Sequence, residues 1–118
     1  MPTRTMAGME VQGPFAEETC MGLLAGTTFG RVSLNVRAMP RIVPVRISVQ
    51  RRRINAHLQC DADLGAALEG AVVALQADGC DGHTRRAWTV HAVGRVLARS
   101  GPDFVIDPTV LDGAWLDL

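Results

Sequence analysis

Between Gly30 and Gln59 the apolar residues recur at every second position, and that period decides what the chain can build. Val32, Leu34 and Val36 alternate with Arg31, Ser33, Asn35 and Arg37. Val43, Val45, Ile47 and Val49 alternate with Pro44, Arg46, Ser48 and Gln50, and Ile54, Ala56 and Leu58 alternate with Arg53, Asn55, His57 and Gln59. A period of two puts one set on each face of a strand, so three half-buried strands follow one another as a meander. Pro44 cannot donate to a ladder, which makes that point of the second strand an edge or a bulge. The run Arg51-Arg52-Arg53 falls at the tip of the next hairpin. It reads first as a solvated turn and second as an anion contact.

The flanking segments complete an antiparallel, barrel-like sheet with two short helices. Phe15 to Gly26 reads as a helix, with Glu17 and Glu18 in the first turn and Ala16, Cys20, Leu23 and Leu24 on one apolar face. Asp61 is an N-cap for a second helix over Ala62 to Glu69, stopped at Gly70. A fourth strand is expected over Ala71 to Asp78 and a loop over Gly79 to Arg85. A long fifth strand runs from Arg86 to about Arg99, with Gly94 marking a bulge or a close backbone approach. Asp107-Pro108 is expected to open a helical turn and Ala114 to Leu118 to form a last short strand. Residues 1–14 are expected to fray, leaving a single domain over 15–118.

With 118 residues, 47% of them hydrophobic and 20% charged, the chain is long enough for one globular core. Its formal net charge is zero, so it lacks the basic footprint of a nucleic-acid binder. No apolar run is long enough to span a bilayer, and no secretory leader is recognised, which makes a cytoplasmic location the expectation. All twelve basic residues are arginine. Schiff-base chemistry is therefore excluded, and any bound phosphate must be held by arginine, histidine or backbone donors. Three cysteines, Cys20, Cys60 and Cys80, do not make a disulfide framework.

Three stretches carry a resemblance. Leu23-Leu24-Ala25 through Gly30-Arg31-Val32 supplies a helix and a Gly-Arg entry to a strand. Pro40-Arg41-Ile42-Val43-Pro44-Val45 supplies a second strand. Asp78-Gly79-Cys80-Asp81 through Thr84-Arg85-Arg86-Ala87-Trp88-Thr89-Val90, continuing to Val93-Gly94-Arg95-Val96, supplies a long hairpin with Trp-Thr-Val and Gly-Arg elements. In this order, across residues 20 to 99, they resemble the FMN-binding split-barrel family, the relatives of pyridoxamine 5'-phosphate oxidase. The resemblance implies an antiparallel split β-barrel and a homodimer with a flavin in each groove between subunits. The flavin would be FMN or a deazaflavin, and it would carry the chemistry of an oxidoreductase acting on a small molecule.

By that resemblance Arg46, Ile47, His57, Leu58 and Trp88 are the candidate cofactor contacts. The chain departs from the family where the phosphate is held. Ala56-His57-Leu58 stands where relatives have an aromatic residue and Arg-Thr, and Ala62-Asp63 stands where a small hydroxyl residue and Lys open the helix. Asp61 and Asp63 put carboxylates at the helix end expected to receive the anion. Arg46 could supply a cation from another direction. The chain is also expected to end before or within the strand that completes the barrel in longer relatives.

Each candidate has a plainer reading. His57 is either a strand histidine at the surface or a dimer seam, or a phosphate or ring contact. Trp88 is either packing or a ring-stacking partner. His57, Cys60, Cys80 and His83 spell H-x-x-C and C-x-x-H, spacers that suit zinc if the segments meet. The order is unusual, however, and no structural metal is expected. Two functions stay open: a flavin-dependent oxidoreductase, and a cofactor-free dimeric module that binds a ligand or partner.

Overall fold

The structure is a computed structural model that describes residues 3–6, 9–58, 62–81 and 83–118. In chain order the elements are β1 (Thr3–Met6), β2 (Met9–Gln12), α1 (Glu17–Ala25), β3 (Phe29–Val36), β4 (Met39–Gln50) and β5 (Arg53–His57). They continue with α2 (Ala62–Leu68), β6 (Val72–Asp81), β7 (Arg86–Ser100) and β8 (Asp103–Asp117). Every pairing is antiparallel. The strands lie in the order β1-β2-β8-β5-β4-β3-β6-β7, and β7 also pairs with β8. Six strands, β8-β5-β4-β3-β6-β7, thus close on themselves, and the β1–β2 hairpin extends the sheet from β8. This is the antiparallel split barrel expected from the sequence. No helix among the described residues is long and apolar enough to cross a membrane.

The period-two residues sort between the two faces as their spacing dictates. Val32, Leu34, Val45, Ile47, Ile54, Ala56, Val73, Leu75, Val90, Ala92, Phe104 and Ile106 are buried together inside the barrel, joined by Cys20 and Leu24 from α1 and Leu64 and Leu68 from α2. Phe104, 2% exposed, is the largest fully buried side chain, and truncating a buried Phe to Ala costs about 3–5 kcal/mol. Pro44 pairs with Arg31 of β3, whereas the β5 ladder begins only at Arg46. It therefore occupies a stretch of β4 with one neighbour, where a missing donor is tolerated. Gly94 sits at a register shift opposite Pro108, and a Cβ there would lie 2.0 Å from the Asp107 carbonyl oxygen. The bulge requires glycine.

The two ends of the chain differ from expectation. Residues expected to fray include β1 and β2, and β2 docks on β8 with Glu10 opposite Asp117 and Gln12 opposite Trp115. In place of a helical turn and a short last strand, β8 is one strand of 15 residues. Pro108 interrupts no ladder because it falls at the Gly94 bulge, so the chain completes its own barrel rather than stopping short. β6 likewise runs to Asp81 rather than Asp78. β5 ends at His57, and Gln59, Cys60 and the N-cap expected at Asp61 lie outside the described residues.

Candidate functional site

The outward residues of neighbouring strands line up in rows across the barrel. Arg46 on β4 is the direct partner of Phe29 on β3 and of His57 on β5; His57 is partnered by Asp103 on β8, and Asp103 by Ser100 on β7. The next row along joins Ser48, Asn55, Val105 and Ala98. These two rows floor a groove of about 440 Å³ on the outer face, closed at one side by Arg99. That volume is within the range of small-molecule sites.

Arg46 makes no ion pair or side-chain hydrogen bond among the described residues. Its guanidinium is a free cation at the groove wall. His57 is engaged: its Nδ1 lies 2.7 Å from Asp103 Oδ1. A carboxylate at that distance fixes the ring with Nδ1 as the donor and leaves Nε2 free. Arg99 is held on both sides, by Glu69 just after α2 with Nη2–Oε1 at 2.9 Å and by the Gly101 carbonyl at 3.2 Å. Its guanidinium lies over Gly65, where an added Cβ would come within 3.2 Å of Nη1. Arg99 therefore braces α2 against the end of β7, and Arg46 is the cation left for a ligand.

Of the residues proposed from sequence, Arg46, Ile47 and His57 meet in this groove. The Ile47 side chain is buried in the barrel core, so its part in the groove is played by backbone. Leu58 is outside it: the side chain is buried, and the backbone N–H donates to the Pro102 carbonyl at 3.0 Å. Trp88 is outside it as well. It has the inward phase of Val90 and Ala92, packs against the core and is the cross-strand partner of Trp115. Trp115 in turn meets Phe15 edge-on at 5.6 Å and the Arg86 guanidinium at 4.2 Å, an aromatic cluster at the far end of β7 from Ser100. Asp63, expected to repel a phosphate, is paired with Arg37 at 3.0 Å and does not line the groove.

The zinc spacing is not assembled by the described residues. His57 is flanked by Arg46 and Asp103, Cys80 is opposite Ala87, and β4 and β3 separate their strands. Cys60 lies outside the described residues. Ser48 and Asn55 were read only as outward strand residues, and Asp103, Arg99 and Ser100 are further groove residues that sequence reasoning missed. Nothing local marks them, since each reaches the site through β7 and β8.

Residues 16–103 match the family model described as pyridoxamine 5'-phosphate oxidase. An uncharacterised protein of Mycobacterium tuberculosis is 30% identical over 106 residues, covering 86% of this chain and 70% of that one. Among solved structures, an FAD-binding protein from Mesorhizobium loti superposes with a TM-score of 0.79 at 15% identity, covering 94% of this chain and 100% of the other. The FAD-binding protein from Mycobacterium smegmatis gives a TM-score of 0.75 at 20% identity, covering 89% and 98%. These two show a shared fold, and the match to the family model covers most of the chain. The chain belongs to the pyridoxamine 5'-phosphate oxidase family.

Proposed function

We propose that this protein binds a flavin in the outer-face groove and serves as a flavin-dependent oxidoreductase on a small molecule. The observation that carries the reading is the Arg46 guanidinium, without a partner among the described residues, beside His57 in a groove of about 440 Å³. The donor set fits a flavin phosphate: Arg46 offers two parallel N–H donors, His57 an imidazole, and Ser48, Asn55 and Ser100 hydroxyl and amide groups. Family membership and the named FAD-binding fold relatives support a flavin-type cofactor, with FMN as the simplest form and a deazaflavin as the variant. When bound, the flavin supplies hydride or electron transfer. The chain's own residues hold the phosphate, orient the ring and exclude water.

A homodimer is part of the same reading. Phe29, Ile42 and Val72 are 54%, 70% and 60% exposed on the outward phase of β3, β4 and β6, and Phe29 is the direct partner of Arg46. A second copy laid on these strands would cover the apolar residues and give the open groove its other wall. The visible absorption of freshly purified protein tests the cofactor. An isoalloxazine band, or one acquired on adding FMN and retained through gel filtration, supports it. If no band can be acquired, the barrel is a cofactor-free module.

A further inference from the structure

Helix α2 has seven residues, well short of the roughly 12–15 at which an isolated helix becomes even marginally stable in water. Its order therefore depends on what holds it to the barrel. Leu64 and Leu68 bury into the core, the exposed Arg37–Asp63 pair ties its first turn to the β3–β4 hairpin, and Arg99 of β7 takes its far end. Helix and strand are both shaped for the Arg99 contact. Gly65, buried in the middle of α2, is a residue that helix interiors disfavour. Here it is the seat of the guanidinium, since a Cβ would come within 3.2 Å of Nη1. Nε donates to Glu69 Oε1 at 3.1 Å, Nη2 lies 2.9 Å from the same oxygen, and Nη1 donates to the Gly101 carbonyl at 3.2 Å. Of the described residues that make these contacts, Arg99 alone also lines the groove.

We infer that the Glu69–Arg99 latch couples α2 to the groove: Arg99 is a positioning residue that closes one side of the groove while Glu69 and Gly65 hold it, so that ligand binding and the docking of α2 favour each other. The inference rests on the flavin reading for the identity of the ligand. An arginine released from Glu69 regains the rotamers of a long side chain, and the groove loses its wall. A ligand entering then has to order that wall again, a cost already met when the latch is closed. Linkage makes the effect reciprocal. Whatever docks α2 tightens the ligand, and the ligand suppresses the opening of α2 by the same factor. Glu69 is exposed and does not line the groove, so an effect of Glu69 on the ligand runs through Arg99.

The test combines FMN titration by flavin fluorescence with amide hydrogen exchange over residues 62–69, with and without saturating FMN, in wild type, Glu69→Gln, Arg99→Gln and the double variant. In wild type, FMN should slow exchange in α2 by about fivefold or more, the lower end of ordinary couplings between sites. Glu69→Gln should weaken FMN in the same measure, and in the Arg99→Gln background the same change should leave FMN affinity unaltered. A merely structural brace gives another pattern: α2 exchanges faster in Glu69→Gln to the same extent with and without FMN, and FMN affinity does not move. That pattern overturns the coupling, as does an effect of Glu69→Gln on FMN that persists in full without Arg99. FMN binding to wild type with no protection of α2 defeats the coupling and leaves the flavin reading standing. No FMN binding to wild type defeats the flavin reading and the coupling with it.

Discussion

His57 and Asp103 are direct cross-strand partners whose side chains meet at 2.7 Å, Nδ1 to Oδ1, on the outer face of the barrel. The pair puts a negative charge beside the position where an anion is expected, and the imidazole stands between them. Replacing His57 with Ala therefore removes a donor and also uncovers a carboxylate. FMN affinity should fall by about tenfold or more, as for loss of a charge-assisted hydrogen bond. The His57→Ala/Asp103→Ala double variant should bind FMN more tightly than His57→Ala alone. Fluorescence titration of the three proteins decides this, and a double variant weaker than the single would show that Asp103 does not repel the ligand.

The Arg37–Asp63 pair changes what Asp63 is expected to do. Its carboxylate is already matched by a guanidinium at 3.0 Å, away from the groove. Asp63→Lys should leave FMN affinity within about twofold. Both side chains are largely exposed, so the stability cost should be no more than about 1 kcal/mol. Parallel FMN titration and chemical denaturation measure both quantities, and a large gain in FMN affinity would return Asp63 to the phosphate site.

Cys20 offers a test of the core by pH. Burial raises its thiol above the ordinary value of 9.0, and the carboxylates of Asp112 and Glu17 push the same way against a backbone hydrogen bond. A raised folded-state value means that the folded protein holds the proton more tightly than the unfolded chain. The stabilisation is complete below about pH 9 and is lost as pH rises through the folded-state value. With no lysine or tyrosine in the chain, no other type of buried side chain confuses that range. Cys20→Ala should flatten the alkaline fall in stability measured by urea unfolding from pH 8 to about 11. An unaltered slope would place the titration elsewhere.

How much of this was legible in the sequence follows from how local each signal is. The alternations through Val32, Val45 and Ile54 fixed three strands and their inward faces, and Gly94 announced its bulge, because each depends on residues within one element. β1, β2 and the first two thirds of β8 were not legible, whereas its end was expected as a strand from Ala114. Thr3–Met6 is too short to show a period, and Pro108 reads as a strand breaker until Gly94 is seen opposite it. The site divides in the same way. Arg46 and His57 are outward residues of adjacent strands in a meander, so sequence could bring them together. Asp103 and Arg99 arrive by long-range pairing and carry no local mark. Trp88 was assigned to the cofactor by resemblance, although its phase with Val90 and Ala92 already pointed inward.

The central claim is that the groove at Arg46 and His57 is a flavin site, and the measurement that tests it most directly is FMN titration of wild type and Arg46→Ala, followed by quenching of the flavin fluorescence. Arg46 has no side-chain partner among the described residues, so removing it should leave the melting temperature essentially unchanged while weakening FMN by about 10- to 100-fold. Saturable binding in wild type with that loss in the variant is the predicted result. Equal affinity in the two proteins, or no binding to wild type at high micromolar FMN, would contradict it.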